Sequence, residues 1–187
     1  TNVMTGVAAM QNYAAETQRP ARRKESELVI GLEQISEVKS NRFALIFGNE
    51  DYNTYKQDAT YQPDVEFAER DAETFAKFAE AMMGVKKVSI TSPTAGIKLE
   101  DFYTTLSGCN AKRTMVFMDA CYSGVGRGII IRPKEVPVKG NLIVMTATSS
   151  TQRSMPYQEK NHGLFTYYLL KTLKEAGTGV TIGDLFN

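Results

Sequence analysis

A chain of 187 residues with 22 Lys and Arg against 21 Asp and Glu carries a net charge of +1, so no overall field draws it to nucleic acid or to a membrane. Its apolar content of 42% and charged content of 23% are those of an ordinary globular protein with room for one domain and a short appendage, and no apolar run is long enough to span a bilayer. Two cysteines and one histidine leave no credible zinc cluster and no sign of a disulfide-stapled secreted fold.

No signal peptide is read, but the chain begins at Thr1 and not Met, so that absence carries no information on compartment. Residues 1–40 read as an N-terminal extension. Val3 to Gln18 is rich in Ala and Met and suits a helix, Arg19-Pro20-Ala21-Arg22-Arg23-Lys24 is a basic solvated run, and Leu28-Val29-Ile30 suits a short strand.

The domain proper spans residues 41–187. Phe43-Ala44-Leu45-Ile46-Phe47-Gly48 is a continuous apolar run closed by Gly, the pattern of a strand buried on both faces. Asp64 can cap a helix starting at Val65, in which Ala68, Ala72, Phe75, Ala79 and Met82 recur at three- and four-residue steps until Gly84 ends it. Lys87-Val88-Ser89-Ile90 is a weaker strand, and Leu99, Phe102 and Leu106 mark a short amphipathic helix. Thr114-Met115-Val116-Phe117-Met118 and Leu142-Ile143-Val144-Met145-Thr146-Ala147 are buried strands, and Leu164, Phe165, Tyr168 and Leu169 share one face of a helix running to Gly177. Strands alternating with helices imply an α/β fold, a three-layer sandwich whose mainly parallel sheet is flanked by helices.

The most informative stretch is Asp119-Ala120-Cys121-Tyr122-Ser123-Gly124, directly after an apolar strand. In open α/β sheets the carboxyl edge of the strands is where ligands and chemistry collect. A thiol just before a helix N-terminus gains acidity from the free N–H groups, which can also receive the oxyanion of a tetrahedral intermediate. A carboxylate two residues away opposes that activation, so Asp119 makes more sense pointing into an adjacent pocket as the partner of a cationic substrate group. On the local pattern alone, a reactive Cys121 and a buried inert one fit equally. Cys109, at the turn Ser107-Gly108-Cys109-Asn110, reads as a structural thiol.

Asp119-Ala120-Cys121-Tyr122-Ser123-Gly124 resembles the nucleophile motif of metacaspases and bacterial caspase-like peptidases, and departs from the Gln-Ala-Cys form of animal caspases. Four further pieces follow that family in order. Arg42 to Tyr52 is similar to its first strand and loop, Phe67-Ala68-Glu69-Arg70-Asp71-Ala72 to its first helix, Gly140 to Ala147 to the strand after the cysteine, and His162-Gly163-Leu164-Phe165-Thr166-Tyr167-Tyr168-Leu169-Leu170 to its late helix. The resemblance covers Asn41 to Phe186. It implies a cysteine endopeptidase working through a Cys/His dyad on a polypeptide substrate, with Cys121 aligned with the nucleophile. Asp71 and Asp119 align with the two acids of the first specificity pocket, which would select Arg or Lys before the scissile bond because a buried cation needs a charge partner. The plainer readings are a first-turn acid complementing the helix dipole for Asp71 and a carboxylate tied to nearby backbone N–H groups for Asp119. Arg127, Arg132, Lys134 and Lys139 are candidate self-processing sites. Some metacaspases depend on calcium, but no oxygen cage can be assembled from this sequence, so no cofactor is expected.

The chain departs from the family at the general base. The family's histidine lies in a His-Gly pair on a strand between the first helix and the cysteine, yet no histidine precedes Cys121, and only Thr91-Ser92-Pro93-Thr94-Ala95-Gly96 separates Ile90 from Ile97. The loop after Gly124 is also short, and the chain stops at Asn187, earlier than the fold usually does. His162 belongs to the late-helix motif and is expected to serve helix initiation, not catalysis. Either segments of a longer parent are omitted, which the cost of unpaired sheet neighbours favours, or this is an inactive homologue working by binding. From another class, Glu50-Asp51, Asp119 and Thr146 loosely echo the magnesium-binding acidic pocket of a phosphoacceptor receiver domain.

Overall fold

Two parallel strand pairs, tied together by one helix, organise the described residues. The computed structural model describes residues 24–35, 39–51, 64–91, 98–119, 140–147, 154–177 and 181. Strand β1 (Lys39–Phe47) pairs in parallel with β2 (Val85–Thr91), with Ala44 opposite Val88 and Ile46 opposite Ile90. Helix α1 (Ala68–Met83) lies between them in sequence and packs on both, because parallel neighbours need a crossover. After α2 (Leu99–Gly108), β3 (Thr114–Met118) pairs in parallel with β4 (Leu142–Thr146), from Thr114 opposite Leu142 to Met118 opposite Thr146. Among the described residues no strand ladder joins the two pairs. Helix α1 bridges them: Phe75 on α1 meets Phe117 on β3 with ring centroids 5.6 Å apart. A short antiparallel hairpin follows, β5 (Pro156–Tyr157) against β6 (His162–Gly163), closed by a 3₁₀ turn and by Asn161 in the left-handed region at φ 54°. It feeds directly into α3 (Leu164–Ala176). The alternation of helices with parallel strands makes this an α/β fold, as the sequence predicts.

The local differences from the sequence reading have physical causes. Helix α1 starts at Ala68, not Val65, because Phe67 takes φ 70° and breaks the helical path. Asp64 does not cap it. Glu50 does part of that work, since Glu69 N–H donates to Glu50 Oε1 at 3.1 Å. The C-terminus ends as expected at Gly84, left-handed at φ 60°, whose N–H reaches Ala79 O. Strand β1 is not buried on both faces: Phe43, Leu45 and Phe47 are 70%, 59% and 40% exposed. Leu28-Val29-Ile30 is a turn and not a strand, held by Val29 N–H on Ser26 O at 3.1 Å and opened at Gly31, φ 71°.

In α3 the buried face is Thr166, Tyr167, Leu169, Leu170 and Leu173, while Leu164 and Tyr168 are exposed. Tyr168 turns outward to stack on Tyr157, with the rings 9° from parallel. The core gathers Phe78 from α1, Met145 from β4, Tyr167, Leu169, Leu170 and Leu173 from α3, and Leu28 from the segment before β1. Residues 24–35, which the sequence places in an N-terminal extension, are thus laid across α1 and α3. Lys174 Nζ donates to the carbonyls of Glu27 and Ile30, Arg70 donates to Lys24 O, and Lys77 pairs with Glu25 at 3.0 Å. Lys160 and Tyr167 both bond Glu27, which holds its carboxyl below the usual carboxylate range. No helix among the described residues is long and apolar enough to cross a membrane.

Candidate functional site

Strand β3 ends at Met118 and delivers Asp119 to its carboxyl edge, while the first turn of α1 presents Asp71 from the neighbouring layer. The two carboxylates converge on Gly163. A side chain built there would place its Cβ 2.5 Å from Asp119 Oδ2 and 2.9 Å from Asp71 Oδ2. Only a residue without a side chain lets both acids share this floor, and the β5–β6 hairpin puts it there.

Each acid is held by donors. Asp71 Oδ2 accepts the Gly163 N–H at 2.8 Å, and its Oδ1 lies 2.5 Å from His162 Nδ1. Asp119 Oδ2 accepts from the Thr166 hydroxyl at 2.9 Å and from the Thr166 N–H at 3.3 Å, while its Oδ1 accepts from the Ser154 hydroxyl. The N–H bonds from Thr166 and Gly163 come from the first turn of α3 and the residue capping it, whose free donors favour anions. Burial pushes the Asp71 carboxyl above its ordinary value, opposed by the bonds from His162 and Gly163 and reinforced by the negative charge of Asp119. Among the described residues no Lys or Arg pairs with either acid. Two adjacent carboxylates, one buried and one half-buried, therefore face each other with neutral donors and one imidazole around them.

His162 is 1% exposed, with Ser26 Oγ 2.7 Å from Nε2 and Asp71 on Nδ1. Both ring nitrogens are engaged, so the imidazole braces the hairpin and α3 in the position expected of it, at the start of the late helix. Cys121 lies outside the described residues, as do Arg127, Arg132, Lys134, Lys139 and the whole stretch 92–97. Cys109 is exposed, closing the end of α2 with its Sγ on Thr105 O. Glu50, part of the receiver-like alternative, is spent on the start of α1, and no group of three or more His, Cys, Asp or Glu suited to a metal ion occurs among the described residues.

Ser154, Thr166, Gly163 and Ser26 were not legible as site residues. Thr166 and Gly163 sit inside the late-helix motif, two short polar or small residues at the start of an apolar helix, and that placement was the available signal. Ser26 carried none, because its partner is 136 residues away.

The caspase-domain model of peptidase family C14 matches residues 70–187, more than half of the chain. Neither a curated protein nor a solved structure matches it.

Proposed function

Because the chain belongs to the caspase family of peptidases, we propose that it is a cysteine endopeptidase that cleaves after Arg or Lys, with Cys121 as the nucleophile and Asp71 and Asp119 as the seat of the substrate's cation. The family supplies cysteine peptidase activity in general. The adjacency of two carboxylates on one glycine floor, with no Lys or Arg of the described residues beside them, carries the basic preference. A guanidinium or ammonium group entering between them would relieve the repulsion that keeps two like charges apart. Asp119 stands only two residues before Cys121, so a cation seated there sets the following peptide bond near the thiol.

Chemically, the Cys121 thiolate attacks the scissile carbonyl, the leaving amine takes a proton, and water hydrolyses the acyl-enzyme. His162 is not the group that delivers that proton, since it is buried and bonded at both nitrogens. The proposal therefore includes a histidine-bearing segment between Ile90 and Ile97 in the active protein. A second reading, a non-catalytic caspase-like binding module, is favoured by the same engaged histidine, the only one in the chain.

Labelling with an Arg-fluoromethylketone discriminates between them. The peptidase reading expects covalent modification at Cys121, absent in Cys121→Ala and weaker in Asp119→Asn, with little reaction toward an Asp-fluoromethylketone. Failure of the Arg probe to label full-length protein, with biological activity intact in Cys121→Ala, would establish the binding module instead.

A further inference from the structure

We infer that Ser26, from the segment preceding β1, is a positioning residue for the acid pair: through His162 it holds Asp71 as a hydrogen-bond acceptor, the form that receives a cation. The inference deepens the proposed basic-residue subsite and rests on it for the cation, but not for the hydrogen-bond chain itself. Three buried groups form that chain. Ser26, His162 and Asp71 are 6%, 1% and 9% exposed, with 2.7 Å between Ser26 Oγ and His162 Nε2 and 2.5 Å between His162 Nδ1 and Asp71 Oδ1.

Leu28 N–H donates to Ser26 Oγ at 3.3 Å, and the hydroxyl keeps one proton to give and one lone pair to accept with. A carboxylate oxygen can only accept, so Asp71 as the anion requires the proton on His162 Nδ1, and the Ser26 proton then goes to Nε2. A neutral imidazole carries one proton, so with Nε2 accepting, the proton sits on Nδ1 and points at Asp71. Asp71 Oδ2 already accepts from Gly163, so both oxygens receive donors, which favours the anion against the burial that raises the carboxyl overall. Burial and Asp119 act the other way, and the His162 bond is the largest influence opposing them. Without the serine hydroxyl, Nε2 becomes a buried acceptor with no donor. The ring then regains its other tautomer and its flipped orientation, each of which presents Asp71 with something other than a fixed N–H.

Ser26 is held where it stands by the rest of its segment. Leu28 is 3% exposed in the core, Glu27 bonds Tyr167 and Lys160, and Lys174 clasps the Glu27 and Ile30 carbonyls. The segment before β1 thereby reaches the acid pair through one imidazole.

His162 is the only histidine in the chain, so its ring resonances need no assignment. Long-range proton–nitrogen correlation on the full chain, at a pH where the imidazole is neutral, should show a single tautomer protonated on Nδ1. Ser26→Ala should lose that single state and bind agmatine, a small guanidinium probe, about tenfold more weakly, the weight of one charge-assisted hydrogen bond. Ser26→Thr should restore both. Lys77→Ala, which loosens the same segment without touching the ring, should change neither. A proton on Nε2 in the wild type overturns the inference, as does a Ser26→Ala protein that keeps both the tautomer and the agmatine affinity. If Ser26→Ala does not fold, the wild-type tautomer and its retention in Ser26→Thr decide. If the tautomer behaves as stated but the wild type binds no agmatine, the positioning of Asp71 stands and the cation subsite falls.

Discussion

Gly163→Ala is the most direct test of the shared floor beneath the two acids. The backbone at Gly163 has φ −63° and ψ 141°, a conformation open to any residue, so the substitution adds no main-chain strain. What it adds is a methyl group 2.5 Å from Asp119 Oδ2 and 2.9 Å from Asp71 Oδ2. Neither oxygen swings away freely. Asp119 is anchored by Ser154 and Thr166, and Asp71 by His162 and the Gly163 N–H itself. Overpacking of this kind costs ~1–3 kcal/mol, and losing one of the Thr166 bonds costs about 1 kcal/mol more. Lower entropy of the unfolded chain returns ~0.4–1 kcal/mol. The net is a destabilisation of about 2 kcal/mol, which for a chain of this size lowers Tm by about 4–8 °C. Differential scanning fluorimetry reads it, with Gly108→Ala as the control. Gly108 ends α2 with nothing within 4 Å of its missing side chain, so that variant should match the wild type or slightly exceed it. A Gly163→Ala protein as stable as Gly108→Ala would refute the convergence of the two carboxylates on this glycine.

Leu28→Ala should cost ~2–5 kcal/mol by urea denaturation if residues 24–35 belong to the folded unit, since Leu28 is 3% exposed among core side chains; a loss under half a kilocalorie would mean the segment is not packed there. Gly48→Ala should be more damaging than Gly163→Ala in its effect on β1, because its Cβ would meet Ala72 Cβ at 2.7 Å and the Ala68 carbonyl at 2.8 Å, and backbone cannot swing aside. Its expected signature is loss of soluble folded protein or a cooperative transition at clearly lower urea. The pH dependence has a definite sign. With its pKa raised in the folded state by burial, Asp71 binds its proton more tightly folded than unfolded. That contribution is fully present below the unfolded value of about 3.9 and is lost as pH rises through the raised value. The unfolding free energy of wild type minus that of Asp71→Asn should therefore fall from acid toward neutral pH, and a difference that rises instead would contradict the burial of Asp71.

Much of the architecture was readable because it depends on local pattern. Short apolar runs after turn residues located β3 and β4, the three- and four-residue spacing of alanines located α1, and Gly84 and Gly177 ended their helices where a left-handed or otherwise permissive residue is needed. The errors fell where one element decides the state of another. Asp64 looked like a cap, but Glu50 from the preceding loop reaches the helix first turn instead. Leu28-Val29-Ile30 has strand composition, yet Leu28 is wanted in the core beside Phe78 and Leu170, and a turn delivers it. Phe43, Leu45 and Phe47 have the apolar continuity of a central strand while their side chains stand exposed.

The order of residues alone reads as an α/β chain with an Asp-Ala-Cys motif directly after an apolar strand, because strand and helix signals are carried by neighbours in sequence, and the family resemblance nominates Asp71 and Asp119 as paired acids. Folding decides that these two acids, 48 positions apart by their numbers, meet over Gly163, that the sole imidazole is committed to bracing one of them, and that a serine near the start of the chain completes the brace. Hydrogen-bond partners of a buried carboxylate are chosen by packing across layers, which no local periodicity encodes.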